Sequence, residues 1–218
     1  MSSLAELSDL SQLQVSAVQT GLFWVSAISL ISCALVLCSW ALNEDLRRFA
    51  FNLITLLALC QCGAAAPYTF IIDPAPSSPE CTIQSIASQF FGVASMGWIV
   101  AISYTLDCVV VKRNLDPLLV FRNFHIAIWG SSVVATLVPW WAGVLGPAGP
   151  FCWISNDSTK ATIMRAMFFH ILLYASLAYH VRIYFRVFRV LRRTIRLLSD
   201  SADMSQVHAV RARTAVAA

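Results

Sequence analysis

The sequence predicts an all-α protein, a polytopic membrane bundle of five transmembrane helices, on three observations. Of the 218 residues, 58% are hydrophobic and only 12% charged, against roughly 45–50% and about 25% in soluble domains, so too few charges remain to cover a water-facing surface. Apolar runs of at least about 18 residues, enough to cross about 30 Å of hydrocarbon, occupy 17–42, 49–72, 83–111, 124–146 and 161–185. Lys and Arg gather in alternate connections, the pattern of cytoplasmic loops.

Residues 1–16 form a polar amino terminus with Glu6 and Asp9 but no Lys or Arg. A secretory signal would carry positive charge there, so the first run reads as a retained span. Arg47 and Arg48 mark the first connection, and Lys112, Arg113 and Arg122 the third. Arg182, Arg186, Arg189, Arg192, Arg193 and Arg196 gather at and after the end of the fifth span. The opposite loops carry no basic residue in DPAPSSPECT and only Lys160 in PAGPFCWISNDSTK. These assignments put the amino terminus outside and the carboxyl terminus in the cytoplasm. Pro67 and Pro139 fall inside spans, where neighbouring groups can satisfy the carbonyls they free. The membrane domain is expected to cover 17–186, followed by a basic amphipathic extension over 187–198 and a disordered tail over 199–218. The sequon Asn156-Asp157-Ser158 lies outside, near the membrane.

Of seven cysteines, Cys81 and Cys152 alone fall in loops assigned to the oxidising side. A bridge between them would tie the top of span 3 to the loop after span 4; two free thiols are the alternative. No Cys/His spacing resembles a metal site, and neither metal nor cofactor is expected.

Span 3 carries Ser85, Gln89, Gly92, Met96, Ile99, Ser103 and Asp107 at helical spacing, and such a face should look into protein. Ser88 and Gln89 are candidates for a pocket wall or for helix packing. Asp107, near the cytoplasmic end, needs a partner; Arg47, Arg48 and Arg182 are the candidates, in a switch or a static anchor. His170 and His180 suit hydrogen bonds to a facing helix better than a proton relay. Arg165 either snorkels to the interface or offers a positive group to an anionic ligand. Arg182, Arg186, Arg189, Arg193 and Arg196 would meet anionic headgroups or a cytoplasmic partner.

Walker, HExxH and dinucleotide-binding phrases are absent, as is a Gly-flanked serine nucleophile, so no catalytic residue is assigned and the sequence does not read as an enzyme. The arginines read as topology signals, and no nucleic-acid partner is expected.

Five phrases in order carry a resemblance: LRRFAFNLITLLAL entering span 2, Cys81-Thr82-Ile83-Gln84 opening span 3, Val110-Val111-Lys112-Arg113 closing it, Trp129-Gly130 in span 4, and Phe151-Cys152-Trp153-Ile154 before span 5. Across spans 1 to 5 the chain resembles the cyclic-AMP-receptor-like G-protein-coupled receptors. The resemblance implies a multi-pass plasma-membrane receptor of seven helices, a disulfide between Cys81 and Cys152, an outer ligand cavity and a heterotrimeric G protein below. This sequence supplies apolar runs for five of those helices, so a truncated or partial receptor is expected. The alternatives are a non-signalling five-span interaction partner or a small transporter. The ligand is unknown; for a cyclic nucleotide, Arg165 would answer the phosphate, with Ser88, Gln89 and Trp153 in the same cavity.

Overall fold

The computed structural model describes residues 2–71, 78–112 and 117–216. Its helices are α1 (Ser2–Leu42), α2 (Phe49–Phe70), α3 (Pro79–Asp107), α4 (Pro117–Trp141), α5 (Thr159–Arg165) and α6 (Ile171–Val216). A π-helical turn, Ala166–His170, joins α5 to α6 so that the two form one fifth span, and a second, Cys108–Lys112, extends α3. Among the described residues, five helices are long and apolar enough to cross a membrane. Arg113 and the loop residues 72–77, both used above to orient the chain, lie outside the described residues.

α3 is the central pillar, because small and polar residues let neighbours approach on several sides. Leu53 and Cys60 of α2, Ala94, Trp98 and Ala101 of α3 and Ile128 of α4 make the buried core. Two glycines set the helix spacing: a Cβ on Gly63 would stand 2.5 Å from the Phe91 ring, and one on Gly97 would stand 2.9 Å from Ile128. Such close contacts replace the hydrophobic driving force that lipid does not supply between helices. Conversely, α1 and the fifth span turn large apolar side chains outward, among them Trp24, Ile31, Tyr184 and Phe185, each more than 60% exposed. Lipid, not water, is the solvent in which such faces are stable.

Span 4 and the carboxyl-terminal stretch differ most from the sequence reading. Span 4 begins at Pro117 and ends at Trp141 instead of running over 124–146. Gly143, at φ +67°, takes the left-handed conformation that ends helices, and Leu145–Pro147 then forms a strand, β1. β1 pairs antiparallel with β2, Cys152–Ile154, bringing Pro147 opposite Cys152. At the carboxyl end the backbone stays helical from Ile171 through Val216, so span and basic extension form one rod that continues into the stretch expected to be disordered. Repeated Ala and two Arg there are good helix formers.

Candidate functional site

At one end of the bundle the β1–β2 hairpin is fastened onto α3. α3 starts there because Ser78 caps it, its Oγ accepting the Cys81 amide at 3.1 Å, with Pro79 in the first turn. That start aims Cys81 at the hairpin, where it is bonded to Cys152 with the Cα atoms 5.2 Å apart. One turn further, buried Gln84 accepts the Cys152 amide at 2.7 Å. Phe151 meets Tyr68 of α2 edge-on at 5.9 Å, and Gln19 of α1 donates to the Pro150 carbonyl at 3.2 Å.

Gln89, fully buried, is the junction of this end. Its Oε1 accepts the indole N–H of Trp153 at 2.8 Å, and its Nε2 donates to the carbonyls of Ala135 and Phe168, each at 3.2 Å. Both acceptors have a backbone reason to be available. Pro139 has no N–H to give the carbonyl four residues earlier, which is that of Ala135. Phe168 lies within the π-helical turn, where the usual hydrogen-bond register is shifted. One amide therefore links the hairpin, α3, α4 and the fifth span.

Arg165 completes the group. Its Nη2 donates to the carbonyls of Ile154 and Ser155, the second at 2.7 Å, and its guanidinium lies 5.2 Å from the centre of the Trp153 ring. Phe169 packs edge-on against Trp153, with ring centres 4.8 Å apart. Arg165 thus turns inward onto the hairpin, where two carbonyls and an aromatic face meet its Nη2 and ring plane while its Nε is buried without a partner. Of the four residues singled out for a ligand cavity, Gln89, Trp153 and Arg165 come together. Ser88, one residue round the helix, faces Tyr68 instead; its Oγ is buried without meeting hydrogen-bond geometry to that phenol. The sequence reading passed over Gln84, Tyr68 and Phe169; Pro139 on the facing helix was the available sign that a buried donor was needed nearby.

The opposite end holds an ionic cluster. Asp107, 2% exposed, receives Arg186 Nη1 at 3.2 Å on each oxygen, and Lys112 approaches at 3.6 Å. Neither Arg47, Arg48 nor Arg182 is its partner. Arg186 shares the inward face of α6 with buried Ile183 and Val187, whereas Arg182 is on the outer surface, and Arg47 donates to the Ala41 carbonyl. One turn deeper, Ser103 and His180 Nδ1 are 2.7 Å apart, so α3 and α6 are joined by two polar contacts. His170 instead stacks near Tyr174, with ring centres 6.5 Å apart. Arg189, Arg192, Arg193 and Arg196 are surface residues.

Comparison with known families decides what this arrangement belongs to. The family model for the slime mold cyclic AMP receptor matches residues 10–205. The chain belongs to the slime mold cyclic AMP receptor family. Both ends described above, from Cys81 to Arg196, lie inside the matched region. Among relatives of this receptor family, "G-protein coupled receptor 1" of Arabidopsis thaliana is 29% identical over 87% of this chain and 57% of its own length. "G-protein coupled receptor 157" of Mus musculus is 31% identical over 52% of this chain and 38% of its own. "Cyclic AMP receptor 2" of Dictyostelium discoideum is 23% identical over 59% of this chain and 36% of its own. The chain therefore spans little more than half the length of the first of these receptors. Squid rhodopsin shares the fold, with a TM-score of 0.68 over 86% of this chain and 59% of its own, at 16% identity.

Proposed function

We propose that this chain supplies the first five helices of a plasma-membrane receptor that senses an extracellular ligand and, in its full-length form, couples to a heterotrimeric G protein. The observation that supports it most is the fastening of the hairpin to α3 in a chain of this family: Cys81–Cys152, Gln84 and Gln89 all converge there. A covalent bridge belongs on the oxidising side, so this end faces out and the amino terminus with it. Asp107, Arg186 and the arginine-lined end of α6 then face the cytoplasm, where the G protein would dock and anionic lipids would meet Arg182, Arg189, Arg193 and Arg196. The reading is of a receptor, not an enzyme.

A cyclic nucleotide is the proposed ligand class. The phosphate of such a ligand would be answered by Arg165, which lies over the Trp153 ring and whose Nη2 also holds the hairpin. Membranes carrying the chain would be tested with radiolabelled cyclic AMP, comparing the wild type with Trp153→Ala and Gln89→Leu. Saturable binding lost in both variants supports this reading; its absence from the wild type, or its indifference to both changes, refutes the ligand class. Cyclic-AMP-dependent nucleotide exchange on a G-protein panel tests the coupling separately.

A second reading rests on the outward apolar faces of α1 and the fifth span. There the chain acts by packing against other membrane helices, as a non-signalling partner of complete receptors. Co-purification with a seven-helix member of the family, without any nucleotide exchange, favours that reading.

A further inference from the structure

Between α1, α2 and α4, at the end of the bundle nearest the α1–α2 connection, lies a groove of about 560 Å³. Leu37, Trp40, Leu56, Leu59, Phe121 and His125 make most of its wall. Its polar atoms are largely spent on the protein: the Trp40 indole donates to Asn52 Oδ1 at 2.9 Å, and Thr55 Oγ1 donates to the Phe51 carbonyl at 2.9 Å. Of the His125 ring, Nδ1 accepts the Trp129 indole while Nε2 is buried without a partner, so an occupant's buried part must be apolar except for at most one polar atom near that nitrogen.

Position and charge narrow the occupant. Trp40 stands in the last turn of α1 and Asn52 in the first turn of α2, so the mouth lies where a span meets the headgroups. Over the Trp40 ring, 5.6 Å from its centre, sits the guanidinium of Arg47. Arg47 is exposed and gives one donor to the Ala41 carbonyl at 2.9 Å, keeping the rest of its fork for another acceptor. Glu44 and Asp45 precede it in the same connection, so the mouth carries both signs. A sterol hydroxyl would leave that cation unanswered; a phosphodiester matches its planar fork.

We propose that this groove binds one glycerophospholipid, an acyl chain lying along Leu37, Leu56 and Leu59 and the phosphate held by Arg47. This rests on the membrane placement of the helices and is independent of the receptor reading.

The test is native mass spectrometry of the delipidated 218-residue chain, titrated with palmitoyl-oleoyl phosphatidylglycerol, phosphatidylcholine of the same chains, or cholesterol. One saturable phospholipid site is expected. Arg47→Gln should weaken it about tenfold, as loss of a charge-assisted hydrogen bond implies, and Leu59→Trp, which fills the groove from its exposed side, should remove it. Phospholipid uptake unchanged in both variants overturns the proposal. So does cholesterol occupying the site with an affinity indifferent to Arg47→Gln, which would make the groove a sterol site.

Discussion

Asp107 and Arg186 stand 79 residues apart in sequence and meet through one guanidinium nitrogen placed 3.2 Å from both carboxylate oxygens. Asp107 is buried while the Arg186 side chain is 38% exposed, so solvent screens part of the attraction. Removing the carboxylate leaves a part-exposed arginine without its carboxylate partner. Asp107→Asn is expected to destabilise the chain by roughly 1–2 kcal/mol, below the 3–5 typical of breaking a fully buried pair. Thermal melts of the single variants and of Asp107→Arg with Arg186→Asp should show coupling; strict additivity would mean the pair holds nothing together.

That pair also shows what was and was not legible in the sequence. Hydropathy gave five spans and the buried acid because both depend on composition along one helix. The partner depends on the rotation of another helix: Arg182 and Arg186 lie one turn apart, and only packing of Ile183 and Val187 chooses the second. The Cys81–Cys152 bridge could be read because loop assignment left two candidates. Gln89 was noticed for its helical phase, yet its role follows from Pro139 and the π-helical turn, two backbone irregularities on other elements. For Arg165 the sequence left two settings open, and its carbonyl partners were not legible because they come from β2 and the residue after it, a hairpin that helical phase does not reveal.

Gln89→Leu keeps the volume roughly constant but strands the Trp153 indole and the carbonyls of Ala135 and Phe168. A loss of roughly 1–3 kcal/mol is expected, given that hydrogen bonds between membrane helices are individually modest. In a Pro139→Ala background, Ala135 regains its own helical donor, so the same substitution should cost less. Chemical denaturation of the four proteins measures this; equal costs in both backgrounds would remove the account of Pro139.

Reducing the bridge frees a loop of 71 residues. Closing a loop of that length is worth about 4 kcal/mol through the unfolded chain. Cys152→Ser should therefore lower the melting temperature and yield a protein whose melt no longer responds to reductant, while the wild type shifts down when reductant is added.

Gly63 is expected to tolerate no branched side chain, because even a Cβ would enter the Phe91 ring. Gly130 has nothing within 4 Å of its Cβ direction and serves as the comparison. Gly63→Val should lower the melting temperature by several degrees more than Gly130→Val, consistent with overpacking costs of about 1–3 kcal/mol. Equal shifts would mean that α2 and α3 are not held at this spacing.

Everything proposed about ligand and G protein requires the hairpin to face outward and the arginine-rich end of α6 to face the cytoplasm. A single cysteine placed at exposed Asn156 and, in a separate chain, at exposed Arg189 can be probed in intact cells with a membrane-impermeant maleimide. The Asn156→Cys protein should label before permeabilisation and the Arg189→Cys protein only after it. Labelling of Arg189→Cys alone in intact cells would invert the topology and contradict the receptor reading.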